Sequence, residues 1–465
     1  MKKIAISKLL LASAFMAAPA AAQNISFDSL PSVKDIVSQA RSSEISVPAP
    51  SLTPDTRAPK EWTLMVFMNG KNNLSSYVHT DMNEMEAVGS TDKMNVVVEA
   101  GRIYQAPPSY PNYPGGYDGY DNPWGGGVVP HPGWPNPDWN MPPAMGREGE
   151  ATTRSSDWTG VRRYYVLKDT DTAVTSSQLL QELPKTDMGD WNQLVQFVKW
   201  AKAAYPAKKY MLVVWNHGDG WKTKSPGSQV LKGISYDDET GNGITTVQLG
   251  QALAGMGGVD IYASDACLMQ MAEVVYELKN YAPVIVGSEE TEPGDGWDYA
   301  AFLSRVNPAN LSPEAVAKAA VEGYNASYTK KGSGVTMSAV RSLQAEPLRL
   351  LSDQWADLAM AQDRPLLKAA LTESKSFAGA DSRDLLHFLS LAGAKIPALA
   401  AKGAEINALV QKKMLILNAP SGDSYKNAMG LGIYLPTYGF DANYSKLALS
   451  KAGKWDEFAN WLNAK

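Results

Sequence analysis

The single cysteine of this 465-residue sequence, Cys267, and one of its four histidines, His217, each stand just past a short apolar run. Tyr210–Trp215 leads into Asn216-His217-Gly218-Asp219-Gly220-Trp221. Val259–Ser264 leads into Asp265-Ala266-Cys267-Leu268-Met269. A thiol attacks as its thiolate, and a free cysteine with a pKa of roughly 8.5 needs help at neutral pH. An imidazole within reach gives that help by taking the proton. A helix expected from Met269 to Leu278 would turn the positive end of its dipole toward Cys267 and favour the thiolate further. Gly218 leaves its backbone N–H open to a substrate carbonyl, and with the Cys267 N–H it would form an oxyanion hole. The pair therefore reads as nucleophile Cys267 and base His217 of a cysteine peptidase. A lone cysteine is often a buried apolar side chain, but two reactive residues at strand ends, with a glycine beside the histidine, reverse that balance. His79 and His387 lie on expected helices as packing or surface residues, and His131 has no visible partner. One cysteine and four scattered histidines make no zinc-ligand spacing.

The two reactive residues are 50 positions apart, so a fold must bring them together. Short apolar runs bounded by turn residues are buried strands of a parallel sheet. In such sheets ligands sit beyond the carboxyl ends of the strands. Trp62–Met68 is a first strand, closed by the turn Asn69-Gly70-Lys71-Asn72-Asn73. An amphipathic helix over Ser76–Val88 follows, ended by Gly89, and then a second strand over Met94–Ala100. This is a βαβ unit. Val161–Leu167 reads as a strand and Asp190–Ala204 as the helix leading into the histidine strand. Thr245–Ala254, with Thr245 as its cap, leads into the cysteine strand. Pro283–Gly287 is a further strand. Lys222–Gly243 is polar and turn-rich. Beyond Phe302, Pro313–Tyr324, Glu346–Met360, Ser382–Leu391, Gly403–Leu417 and Trp455–Lys465 read as helices, and Gly334–Val340 and Met429–Pro436 as strands. The sequence leaves open whether this region packs on the sheet or extends it.

The length implies two or three domains, and 44% apolar residues suffice for a sizeable core. Residues 1–22 combine Lys2, Lys3 and Lys8 with an apolar run, Leu9–Ala18, and the small residues Ala20-Ala21-Ala22, the pattern of a secretory signal. Its removal takes three lysines away and moves the net charge from −5 to −8. An acidic, exported chain, periplasmic or secreted, is poorly suited to nucleic acid. No later stretch is long and apolar enough to span a membrane. Residues 23–60 read as a linker or pro-segment, 61–305 as the catalytic domain and 306–465 as a mixed, mainly helical region. Within the catalytic domain, 106–143 is an insertion of 38 residues with 11 Pro, 7 Gly, four Tyr and three Trp, and no Lys, Arg or Glu. It excludes helix and central strand and reads as an extended surface segment.

The sequence resembles the clostripain family of cysteine endopeptidases, in the clan of caspases, gingipains, legumain and separase. The resemblance rests on Met65–Leu74, Asp81–Glu86, Asn216–Trp221, Asp265–Met269 and Glu290–Trp297, which are spread over Trp62 to Ala301, about half the chain. It implies an α/β fold, a caspase-like α/β/α sandwich with a mostly parallel sheet, and the dyad His217 and Cys267. Clostripain-like enzymes cut after Arg or Lys using acidic residues in the S1 pocket. Asp265 and Asp295 stand at matching positions, and a desolvated guanidinium or ammonium needs such carboxylates. Taken by themselves, the two also suit a helix cap and a turn residue. Family members mature by cutting themselves between the histidine and the cysteine. Lys222, Lys224 and Lys232 lie there, with Lys232 the first choice. Some members need calcium; acidic clusters are present here, but no loop has recognisable calcium spacing. The resemblance implies protein or peptide substrates with a basic P1 residue. The competing reading is a non-catalytic surface-binding protein on a peptidase scaffold, with the aromatic insertion as its platform.

Overall fold

The computed structural model describes residues 59–104, 158–183, 185–222, 233–378 and 381–464, all within one compact unit, Pro54–Lys465. The insertion 106–143, the signal and pro-segment, and Lys232 lie outside the described residues.

Five strands form the parallel centre of the sheet: β1 (Lys60–Gly70), β2 (Met94–Arg102), β5 (Ala207–Trp215), β8 (Ile261–Asp265) and β9 (Val284–Gly287). Antiparallel strands extend it at both edges. On one side lie β3 (Gly160–Tyr165) and β4 (Gln178–Leu183); on the other, β10 (Ser338–Arg341) and β12 (Leu415–Asn418). The order is β12-β10-β9-β8-β5-β1-β2-β3-β4. The region beyond residue 305 thus extends the sheet. From β1 the chain builds outward through β2, returns to β5 on the other side of β1, and builds outward again. The crevice between β1 and β5 is therefore the topological switch point, where open α/β sheets bind ligands, and β8 lies next to it.

The apolar runs are continuous because both faces are covered. Along β1, Leu64, Val66 and Met68 enter one core while Met65 and Phe67 enter the other; β5 divides Met211, Val213 and Trp215 from Leu212 and Val214 in the same way. Each such side chain, fully withdrawn from water, contributes roughly 1.5–3 kcal/mol. One core is closed by α1 (Tyr77–Glu86), α5 (Tyr299–Arg305) and α6 (Pro313–Lys331). The other is closed by α2 (Trp191–Ala204), α3 (Thr246–Gly255) and α4 (Ala272–Leu278), together with C-terminal aromatics such as Trp355, Phe388 and Trp455. This is the expected sandwich. Local signals held in detail: Asp190 caps α2 by accepting from Asn192 N–H, and Thr245 makes a reciprocal capping box with Gln248. Gly89 closes the α1 segment at φ +68°, its N–H donating to Met85 O. The polar stretch after the histidine also hides a short hairpin, β6 (Ile234–Asp237) and β7 (Asn242–Ile244).

Candidate active site

Because β5 and β8 are adjacent and in register, with Trp215 opposite Asp265, the residues that follow them emerge side by side. His217 and Cys267 line one cavity of about 70 Å³ together with Trp215, Asp265, Glu292 and Gly296.

The histidine loop is fixed from below by Asn216. Its side-chain amide donates to Asn69 O, its oxygen accepts from Tyr236 N–H at 2.7 Å, and its own N–H donates to Asp265 O at 3.1 Å. The His217 ring stacks over Tyr236 with centroids 6.4 Å apart. His217 Nε2 lies 2.6 Å from Asn73 Oδ1, at the end of the β1 turn. With Asn73 accepting from Nε2–H, Nδ1 keeps the lone pair that can receive a thiol proton. Burial holds the imidazole below its ordinary pKa, so it rests neutral. Gly218 packs directly on the Cys267 backbone: a β-carbon there would lie 3.2 Å from Cys267 N and closer still to Cys267 O.

Cys267 is not at a helix N-terminus. The expected helix starts three residues late, at Ala272, because Leu268 adopts φ +63° and the chain stays extended through Met271. A left-handed conformation at a leucine costs on the order of 1–3 kcal/mol. It is held by the Leu268 N–H bond to Glu290 O at 3.1 Å. The expectation of a dipole-lowered thiol is thereby overturned. Burial first, then the charge of Glu292, push the thiol up to about 11, against the pull of the Glu292, Cys267 and Gly218 N–H groups. The sulfur accepts from Glu292 N–H at 3.3 Å, with Glu292 O at 3.9 Å. The described state is a resting one, thiol protonated and imidazole neutral, with the loop after β9 lying on the sulfur.

Asp265 is buried at the end of β8. Its carboxyl accepts from Trp297 N–H at 3.2 Å and from Tyr299 O–H at 2.8 Å, and caps no helix. Burial raises it above the usual carboxylate range. Asp81 and Glu84 on α1 lie behind it. Asp81 accepts from Trp215 Nε1–H at 2.6 Å and is raised by burial and by Asp265; Glu84 is raised to about 7, chiefly by burial. Asp295 stands on the exposed part of the same loop, paired with Lys331 at 2.8 Å, while its neighbours Gly294 and Gly296 line the cavity. Lys222 pairs with Asp381 at 3.0 Å. His79 bonds Thr175 and Arg102, and His387 accepts from Lys375 N–H, both remote from the cavity. Among the described residues no group of three or more His, Cys, Asp or Glu is gathered as a metal site, and no helix is long and apolar enough to cross a membrane. Two contributors were not singled out from sequence. Asn73 belonged to a recognised turn without a role, and Glu292 was one acid among several in its loop.

A parallel α/β sandwich with histidine and cysteine on adjacent strand ends at the switch point defines a caspase-like cysteine peptidase. The clostripain family model matches residues 66–391, and the chain belongs to that family. It is similar to clostripain of Hathewaya histolytica, 32% identical over 133 residues, 26% of this chain and 25% of that protein. The match thus spans about a quarter of the length of that relative. Solved structures agree in fold. A secreted C11 cysteine protease from Bacteroides thetaiotaomicron, in complex with an irreversible peptide inhibitor, has a TM-score of 0.57 and 20% identity over 86% of this chain and 99% of that one. An inactive zymogen C11 protease from Parabacteroides distasonis has a TM-score of 0.54 and 16% identity over 88% and 99%.

Proposed function

We propose that this chain is an exported endopeptidase that cleaves after Arg or Lys, with residues 61–305 as its catalytic part, Cys267 as nucleophile and His217 as general acid and base. The observation that carries the reading is the shared cavity: one histidine, one thiol and the Gly218 amide meet beside a buried acid, Asp265. His217 Nδ1 takes the thiol proton, and the sulfur attacks the carbonyl carbon of the scissile bond. The oxyanion so formed accepts from the N–H groups of Gly218 and Cys267. The imidazolium then protonates the leaving amine as the C–N bond breaks. Water, deprotonated by the same imidazole, hydrolyses the thioester and frees Cys267.

Asp265, at the base of the cavity, supplies the negative charge for the P1 cation. Asp295 joins it on the rim by exchanging Lys331 for the substrate. A peptide needs more room than the resting cavity has, so the loop over the sulfur must move aside. The zymogen neighbour supports maturation from an inactive form; the family resemblance points to self-cleavage between His217 and Cys267, and Lys232 in that polar stretch is the first choice. The secreted neighbour and residues 1–22 support export. The test is hydrolysis of fluorogenic peptides with Arg, Lys or Asp at P1 by mature protein and by Cys267→Ala. Cleavage after Arg and Lys by wild type alone is expected; cleavage by the variant would remove Cys267 from its role.

A further inference from the structure

Building on that basic P1 preference, we propose that Glu292 is a second specificity-determining residue, closing with Asp265 a two-carboxyl clamp on the P1 cation. Three observations carry this. Glu292 lines the same cavity as His217 and Cys267. Its carboxyl is half committed: Oε1 accepts from Ala266 N–H at 3.3 Å, while Oε2 is buried and has no hydrogen-bond donor. The Trp297 indole N–H faces this carboxyl without closing a hydrogen bond to it. Third, the carboxyl lies against that of Asp265, whose own oxygens are served by Trp297 N–H and Tyr299 O–H.

Two buried carboxyls side by side cannot both ionise; they hold together through a shared proton. The other ionisable groups facing them are Asp81, Glu84, Tyr299, Tyr324, Tyr328 and Cys267, with His217, its pKa lowered by burial, across the same cavity. None of these is a cation. An arriving guanidinium or ammonium displaces the shared proton to solvent, its N–H donors bridging the two carboxylates and its charge standing in for that of the proton. Asp295 differs from this pair, since its carboxylate is exposed and already holds Lys331. Glu292 also touches the nucleophile, through its backbone N–H on the sulfur.

The experiment compares the mature protein with Glu292→Gln and Glu292→Asp on two peptides identical except at P1, one with Arg and one with its uncharged isostere citrulline. The readout is the ratio of kcat/KM values, with KM and kcat separated. Gln can donate to Asp265 where the shared proton stood, so the fold should survive the change. The expected result is a fall in Arg-over-citrulline discrimination of roughly 10- to 100-fold in Glu292→Gln, with Glu292→Asp between it and wild type. Wild-type discrimination retained by Glu292→Gln would overturn the clamp while leaving the basic P1 preference intact. A wild type that does not prefer Arg would overturn that preference and the clamp with it. Loss of a cooperative thermal transition in both variants would make Glu292 a structural carboxyl and also overturn the proposal.

Discussion

Gly218→Ala perturbs the site where the histidine loop packs against the Cys267 backbone. The added methyl would lie 3.0 Å from Ala266 Cβ and 3.2 Å from Cys267 N, and closer still to Cys267 O. To reach the ~3.5 Å of ordinary contact, the histidine and cysteine loops must part by roughly 1 Å. Neither loop yields easily. One is tied through Asn216 to Asn69, Tyr236 and Asp265, and the other through Leu268 to Glu290. A displacement of about 1 Å between reacting groups costs on the order of 10²-fold in rate. Moving one oxyanion donor costs 10²–10³-fold, about 2.7–4 kcal/mol. The effects share one displacement and overlap, so kcat should fall by about 10³-fold with KM changed far less. Overpacking should lower stability by roughly 1–3 kcal/mol. The assay is steady-state hydrolysis of a P1-Arg peptide, with a thermal melt of the same samples. A variant within threefold of wild type in kcat would refute the argument that the Gly218 amide and the Cys267 backbone act as a unit.

Asn73→Ala removes the acceptor that sets the His217 tautomer; kcat should fall roughly 10- to 100-fold, and Asn73→Asp should shift the acid limb of the kcat/KM profile upward by stabilising the imidazolium. An unshifted limb would count against Nε2 as the anchored nitrogen. The thiol, pushed up to about 11 from an ordinary value of roughly 8.5–9, carries at least ~100-fold less thiolate at neutral pH; partly offset by its greater intrinsic nucleophilicity, alkylation by iodoacetamide at pH 7 should run about tenfold slower than for free cysteine. An equal or faster rate would show a thiolate already formed. Glu273 is fully buried, accepts from Tyr434 N–H and Tyr444 O–H, and sits at about 7 against 4.5 in the unfolded chain. Its protonated form stabilises the fold fully below about 4.5, and this is lost as pH rises through 7, on the order of 3 kcal/mol. Wild type should therefore lose stability relative to Glu273→Gln between pH 5 and pH 8 in denaturant titrations; parallel pH dependences would contradict this.

The meeting of His217 and Cys267 was readable because buried parallel strands leave an unbroken apolar run that stops abruptly where each loop begins. Trp215 and Ser264 mark those stops, and the two-sided core along β5 explains why no alternation interrupts the first run. Elements with weaker patterns escaped. β4 is a half-exposed edge strand of sequence QLLQEL, and β6 and β7 are too short to carry a period. The state of the thiol was misread for a local reason. The helix dipole rule needs the helix to begin beside the cysteine, and the left-handed Leu268 delays it to Ala272. Glu292 was invisible for a non-local one. Its loop holds Glu289, Glu290, Glu292 and Asp295, and only the folded chain turns one of these carboxyls inward against Asp265.

The central claim is that His217 and Cys267 act together on a peptide bearing a basic P1 residue. Its most direct test is covalent labelling by a peptidyl chloromethyl ketone with Arg at P1, read by intact mass and peptide mapping of the mature protein. One adduct is expected, on Cys267, slowed by competing P1-Arg peptide and suppressed at least ~100-fold in His217→Ala. An adduct elsewhere, or labelling of Cys267 at the wild-type rate in His217→Ala, would contradict it.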